Sequence, residues 1–215
     1  SFEMRPTLII TLFAAHFVNT ILAMESFKEP CHIIETDTKE NGERIKVMVN
    51  DFVDTLSGFV TTSEIDISSF QMSISTLHEQ FSQIVCLGDG LLQLNEIYHS
   101  IEIALTLFQA LSELVANKSK YDQTGDLCDK VLYDAQELYT RCLVLKHARE
   151  KLDMTRDEYL SNSSNLASTF QELKKHRAVL DAVPLLTRIK LLYIFTELQL
   201  TLRALKKPEE EARIT

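Results

Sequence analysis

The sequence has no tryptophan and little glycine or proline, with five glycines and four prolines among 215 residues. Glycine and proline are the residues that most often interrupt a helix, so few positions force a helix to end. Leucine is abundant, and straight-chain residues lose little rotamer freedom in a helix. With 45% hydrophobic residues, the composition favours an all-α fold with a buried core and excludes wholesale disorder.

Basic residues are also in short supply, because 31 acidic residues outnumber 22 lysines and arginines and leave a formal net charge of −9. An acidic chain repels phosphate, so nucleic acid is excluded as a default partner. Anionic membrane surfaces are disfavoured for the same reason. The basic runs at 174–177 and 206–207 are too short to change this balance.

Long apolar runs are limited to residues 8–23, which follow Arg5 and end at Ala23. A short basic region, an apolar stretch and a small residue before a polar segment are the layout of a secretory signal peptide. We therefore predict that residues 4–23 are a signal peptide and that the protein is secreted. Residues 1–3 precede Met4, and we interpret them as cloning or upstream residues. In the alternative interpretation, residues 8–23 form a buried core helix of a cytoplasmic protein.

Cysteine is scarce, and the four present are Cys31, Cys86, Cys128 and Cys142. No two of them have the CxxC spacing of a zinc or thioredoxin-like redox site. An even number in a secreted chain predicts two disulfides, with three connectivities left open. The alternative is that all four are free thiols in a helical core.

Two sequons for N-linked glycosylation begin at Asn117 and Asn162. Both lie in polar segments that we interpret as turns between apolar-periodic stretches. A glycan requires such a surface position, so both asparagines are candidate glycosylation sites.

The strongest pattern in the chain is helical. Phe70, Ile74, Leu77, Phe81 and Ile84 follow one another at steps of four and three residues, which is the spacing of one packed helix face. Similar spacing predicts helices over 43–60, 64–87, 90–116, 126–160, 166–183 and 185–205. The glycines at 88 and 90 favour two helices between 64 and 116, with one long helix as the alternative.

Short connections between long amphipathic helices predict an antiparallel bundle of about six helices. We divide the chain into a polar leader at 24–42, a single helical-bundle domain at 43–207 and an acidic tail at 208–215.

Motifs that carry chemistry are missing from the sequence. We find no phosphate-binding glycine loop, no GxSxG and no HExxH. Glu96, His99 and Glu102 lie three residues apart and share a helix face, but di-iron bundles need a second such helix, so we interpret them as a solvated face. Cys142 and His147 are five residues apart on a helix and point in different directions. We predict a protein that is not an enzyme and has no cofactor.

The later part of the chain resembles the BAR-domain family. The charged stretch from Lys146 to Tyr159, the segment from Phe170 to Arg177 and the apolar helix at 185–205 carry the resemblance. It implies a dimeric antiparallel coiled coil that associates with membranes.

The preferred function is that of a secreted, non-enzymatic helical bundle. It would bind an unknown protein partner or a small apolar ligand, with self-association into a homodimer left open. The alternative is an intracellular helical scaffold or a BAR-like membrane-associated dimer, and an enzyme is the least favoured reading.

Overall fold

The structure is a computed structural model that describes residues 38–60, 65–88, 95–150, 154–176 and 183–211. Six α-helices occupy nearly all of these residues: α1 Thr38–Gly58, α2 Ile67–Gly88, α3 Asn95–Thr124, α4 Leu127–Glu150, α5 Arg156–Lys175 and α6 Leu185–Glu211. Outside the helices, the described ranges contain one isolated antiparallel bridge between Val60 and Ile65. The prediction of an all-α bundle of about six helices is confirmed. The predicted signal peptide at 4–23 lies outside the described residues.

The helices form two groups of three that meet along α3 and α4. Helices α1, α2 and α3 enclose a first core whose buried members lie between Ile45 and Leu114. Helices α4, α5 and α6 enclose a second core whose buried members lie between Val131 and Leu205. The contact between α3 and α4 is the most extensive in the molecule and holds the two groups together.

The connection between α3 and α4 is a tight turn of two residues. Gly125 adopts a left-handed backbone with φ of +60°, which L-residues with a Cβ rarely adopt. Its N–H donates to the carbonyl of Tyr121 at 2.8 Å, and Asp126 Oδ1 accepts from the backbone N–H of Cys128 at 2.6 Å. So short a turn forces the two helices to run antiparallel.

Two predicted breaks are wrong. We predicted a loop at 117–125, but α3 continues to Thr124, and we predicted a break at 161–165, but α5 runs through it. Serine, asparagine and lysine occur at turns, yet they also occupy exposed helix positions when local pairs support them. In α3, Lys118 pairs with Asp122 one turn later. Neither segment has to bury an apolar face, because other turns of the same helix already pack into one of the two cores.

Helix ends also differ from the prediction. The predicted helix at 126–160 is two helices, because α4 ends at Glu150 and α5 begins at Arg156. Thr155 and Glu158 form a reciprocal capping box at the start of α5. Helix α1 begins at Thr38, inside the predicted polar leader, and α6 continues through Pro208 to Glu211, inside the predicted tail. Helix α2 reaches Gly88 and α3 begins at Asn95. Residues 89–94 between them lie outside the described part of the chain, so the choice between two helices and one long helix stays a prediction.

Candidate interaction surface

The acidic and histidine face of α3 is open to solvent. His99 Nδ1 lies 3.7 Å from Glu102 Oε2, and each side chain is more than half exposed. Glu96 is helical, but its side chain is outside the described part of the structure. Among the described residues, no group of three histidine, cysteine or carboxylate side chains could hold a metal ion. The arrangement resembles the solvated helix face that we predicted.

A shallow cleft runs between α3 and α4 near the same histidine. Its volume is about 160 Å³, below the range of roughly 300–1,000 Å³ that is usual for small-molecule sites. It is lined by His99, Glu102, Ile103, Thr106, Leu107, Leu143, Lys146 and His147. The lining mixes charged and apolar groups and offers no enclosed apolar space, so the cleft is a poor fit for an apolar ligand.

The cysteines on α4 form no disulfide within the described part of the structure. Cys142 is fully buried in the second core, and Cys128 is half-buried near the start of the helix. They lie fourteen positions apart on one helix, or about 21 Å along its axis, so they are too far apart to pair with each other. Cys31 and the side chain of Cys86 lie outside the described residues, so the prediction of two disulfides stays a prediction.

Burial makes the two described thiols poor nucleophiles. It raises the pKa of the Cys142 thiol to about 12. Burial also raises the pKa of Cys128, and the nearby Asp126 carboxylate adds to this rise. The thiolate is the reactive form, so a raised pKa makes both thiols less reactive near neutral pH. This state does not suit the pairing of Cys142 with His147 as nucleophile and base.

Both sequon asparagines lie within helices instead of loops. Asn117 is only 6% exposed and lies in α3. Asn162 is half-buried in α5, and its amide donates to Met154 Sδ at 3.8 Å. Glycosylation at either position stays a prediction, and Asn162 is the more accessible of the two.

Helix α6 carries a second apolar side, opposite to the side that the second core buries. Leu191, Leu198 and Leu205 are fully buried in the second core. On the opposite side of the helix, Leu186 is 69% exposed and Leu200 is 51% exposed. We call this side the outer α6 face; its members are Leu186, Ile189, Tyr193, Thr196 and Leu200.

The outer α6 face has a regular spacing. Leu186, Tyr193 and Leu200 lie seven positions apart, and Ile189 and Thr196 fill the intervening positions. A repeat of seven positions keeps side chains on one side of a helix and is typical of helix–helix contact. The signal was present in the sequence, but the buried side of the same helix has a similar leucine spacing and obscured it.

Charges border the outer α6 face on one flank. Lys190 is exposed, and Glu197, one heptad later, is half-buried. Burial raises the pKa of Glu197. Burial is also the main cause of the raised pKa values of Tyr139 and Tyr193, and the Glu197 carboxylate adds to both. The second core therefore holds this carboxylate beside two tyrosines at the edge of the apolar stripe.

Apart from Leu185, which directly precedes Leu186, the other exposed apolar side chains among the described residues are isolated. Val47, Met72 and Leu127 lie on three different helices. Single exposed apolar residues are normal on soluble proteins, whereas a regular stripe on one helix is not. The outer α6 face is therefore the candidate interaction surface. Among the described helices, none is long and apolar enough to cross a membrane.

Comparison with known proteins gives no relative: no family model, no curated protein and no solved structure matches the chain. The resemblance to the BAR-domain family has no support from this comparison.

Proposed function

We propose that this protein is a secreted, non-enzymatic helical bundle that works by binding another protein through the outer α6 face. One observation carries the proposal: α6 is apolar on two opposite sides, one buried in the second core and the other with Leu186 and Leu200 more than half exposed. A helical partner would bury Leu186, Tyr193 and Leu200 as anchors at heptad spacing. Tyrosine is enriched among the residues that contribute most of the binding energy at protein interfaces, so Tyr193 is the expected main anchor.

A protein partner is better supported than a small apolar ligand. The cleft between α3 and α4 has a volume of about 160 Å³ and charged residues at its rim. A ligand of drug or lipid size needs several hundred Å³ of mostly apolar space. The exposed stripe on α6 instead offers an extended surface of the length of a helix.

The partner is tested by site-specific photocrosslinking in the cells that make the protein. A photoreactive benzophenone amino acid replaces Leu200 in the outer α6 face, and in a matched control it replaces Gln171, which is exposed on α5. We expect discrete protein adducts from position 200 that are missing from position 171. Equal adducts from both positions, or none from either, would contradict the proposal.

The compartment is tested separately by the intact mass of the product in medium and lysate. A secreted protein that begins at Met24 and loses mass on deglycosylation would support the proposed secretion. A retained protein that still contains residues 4–23 would instead support the cytoplasmic scaffold. Cys142 is expected to resist alkylation until the protein is unfolded in either case, because it is fully buried.

A further inference from the structure

The outer α6 face has the register of a two-stranded coiled coil. With Leu186, Tyr193 and Leu200 at the first heptad position, Ile189 and Thr196 occupy the fourth. These are the two positions that meet a partner helix. The fifth heptad position, directly beside this seam, is where neighbouring charges select the orientation of the partner.

The charges favour an antiparallel partner that is identical to α6. In antiparallel pairs, the fifth positions of the two helices face each other, whereas in parallel pairs the fifth position faces the seventh. Lys190 and Glu197 are both at fifth positions. In an antiparallel pair of identical helices, Lys190 of each copy therefore lies beside Glu197 of the other. In a parallel pair both charges would face Leu192 or Leu185 and gain no partner.

The same two charges select one register. When Lys190 meets Glu197 of the second copy, Leu200 packs against Ile189 of that copy, and Tyr193 packs against Thr196. At each end of this contact Leu186 lies opposite the exposed Arg203. A slip of one heptad in one direction places Lys190 opposite Lys190, and a slip in the other direction places Glu197 opposite Glu197. Like charges at facing positions disfavour both slips, so the pattern favours one arrangement and opposes its neighbours.

We infer that the outer α6 face binds a second copy of this chain in an antiparallel, two-fold symmetric dimer centred between Tyr193 and Thr196. This inference rests on the proposed function, because it names the partner of the same surface. The interface is isologous, since each contact occurs twice. A single helix pair buries on the order of 1,000 Å², the low end for specific interfaces, so the dimer is expected to be weak and concentration-dependent.

The test is a charge-swap series on the full chain, measured by sedimentation equilibrium over a wide concentration range. The variants are Lys190→Glu, Glu197→Lys and the double variant with both changes. Each single change turns two attractive pairs into two repulsive pairs, and we expect it to raise the dimer dissociation constant about tenfold. The double variant restores both pairs with reversed signs, and we expect its dissociation constant to return to within about threefold of the original.

Controls separate association from folding and from net charge. Glu79→Lys changes the net charge as Glu197→Lys does, but at an exposed position on α2, and should leave the dissociation constant unchanged. Thermal unfolding of every variant at a concentration where the chain is monomeric shows whether the fold has survived. Addition of salt should weaken the original dimer and strengthen the dimer of either single variant, because it screens an attraction in the first case and a repulsion in the second.

Each outcome decides the inference. Dimers that both single variants weaken and the double variant restores support it. A chain that is monomeric throughout overturns it, as does a dimer that the double variant does not restore. If the chain is monomeric but position 200 still crosslinks to a different protein, the proposed function stands and only self-association fails. If position 200 crosslinks to nothing, both fail.

Discussion

The two cores of this molecule use different chemistry to hold three helices together. The first is rich in phenylalanine: Phe52, Phe70 and Phe81 all approach the ring of Phe108, with centroids 6.0–6.1 Å apart. The second is mostly aliphatic and includes a buried hydrogen bond between two helices. The Tyr159 hydroxyl donates to the carbonyl of Leu205 at 2.7 Å. Ring packing fills space without fixing a register, whereas a buried hydrogen bond fixes the position of one helix along another.

The boundary between the cores is itself polar. The Gln136 amide donates to the carbonyl of Ala110 at 3.0 Å, and both residues are buried. At the turn, Asp129 accepts from Lys120 at 2.6 Å and from Thr124 at 2.8 Å. Apolar packing alone would let α4 slide along α3, and these bonds oppose such sliding. The contrast implies that the apolar cores supply most of the stability, whereas the polar hydrogen bonds fix the position of α4 along α3.

The largest expected effect is the loss of a ring from the first core. Phe70 is fully buried and contacts Phe59 and Phe108. Phe70→Ala leaves a cavity and should lower the free energy of unfolding by about 3–5 kcal/mol. Denaturant titration followed by circular dichroism measures this loss. A loss below about 1 kcal/mol would show that the ring cluster is not the main support of the first core.

The next effect concerns the turn that joins the two cores. Gly125→Ala places a Cβ on a backbone with φ of +60°, although no neighbouring atom would clash with it. We expect a loss of about 1–2 kcal/mol from backbone strain alone. Gly58→Ala is the matched control, because Gly58 also has open space around it and does not have a positive φ. An equal effect of both substitutions would contradict the strain argument.

A smaller loss of stability is expected when the hydrogen bond between Tyr159 and Leu205 in the second core is removed. Tyr159→Phe keeps the ring and removes the hydroxyl, so it should cost about 1 kcal/mol of stability. Amide hydrogen exchange should quicken near Leu205 at the end of α6 and remain unchanged in α1 and α2. Uniform quickening over all six helices would mean that the bond supports the whole fold and not its own core.

The smallest expected effect is a dependence of folding stability on pH, which arises from the carboxyl groups at two helix starts. Hydrogen bonds from Ser69 lower the pKa of Asp66 at the start of α2, and bonds from Thr155 lower the pKa of Glu158 at the start of α5. A carboxyl whose pKa is lower in the folded state stabilises the fold above its unfolded pKa, 3.8 for Asp66 and 4.5 for Glu158. That contribution is lost as the pH falls through the lowered value.

The cap prediction is tested by denaturant titration at several pH values between 7 and 3. Asp66→Asn keeps a capping oxygen but does not titrate, so its stability should fall less steeply in acid than that of the original chain. Asp51→Asn, an exposed change within α1, is the control. If the slope of the control matches that of Asp66→Asn, the cap is not the source of the pH dependence.

Much of the fold was predictable from periodicity, because the face that contains Phe70, Leu77 and Phe81 can pack in only one direction. Helix ends were predicted less well. Thr155 and Glu158 have the spacing of a capping box, a local signal that the charged stretch around them obscured. The polar residues around Asn117 and Asn162 indicate turns when read alone, and only their attachment to anchored helices makes them helical.

The candidate surface was harder to predict than the helices. The sequence of α6 shows leucines on all sides, and no local rule states which side contacts α4 and α5. Tertiary packing decides it, by burying Leu191 and Leu198 and leaving Leu186 and Leu200 outside. The bond between Gln136 and Ala110 was beyond prediction for the same reason, because it depends on how two helices are aligned.

The buried residues of each core come from one continuous stretch of the described chain, although Tyr133, Leu143 and Val144 of α4 also pack against the first core. This arrangement has a consequence for the order of folding. All buried members of the first core lie at or before Leu114, and those of the second begin at Val131. Contacts between residues that are near in sequence form quickly, because little loop entropy is lost. During synthesis, the first three helices can therefore associate while the last three are still being made. We expect α4 to reach a preformed surface on α3 and to become the template on which α5 and α6 assemble.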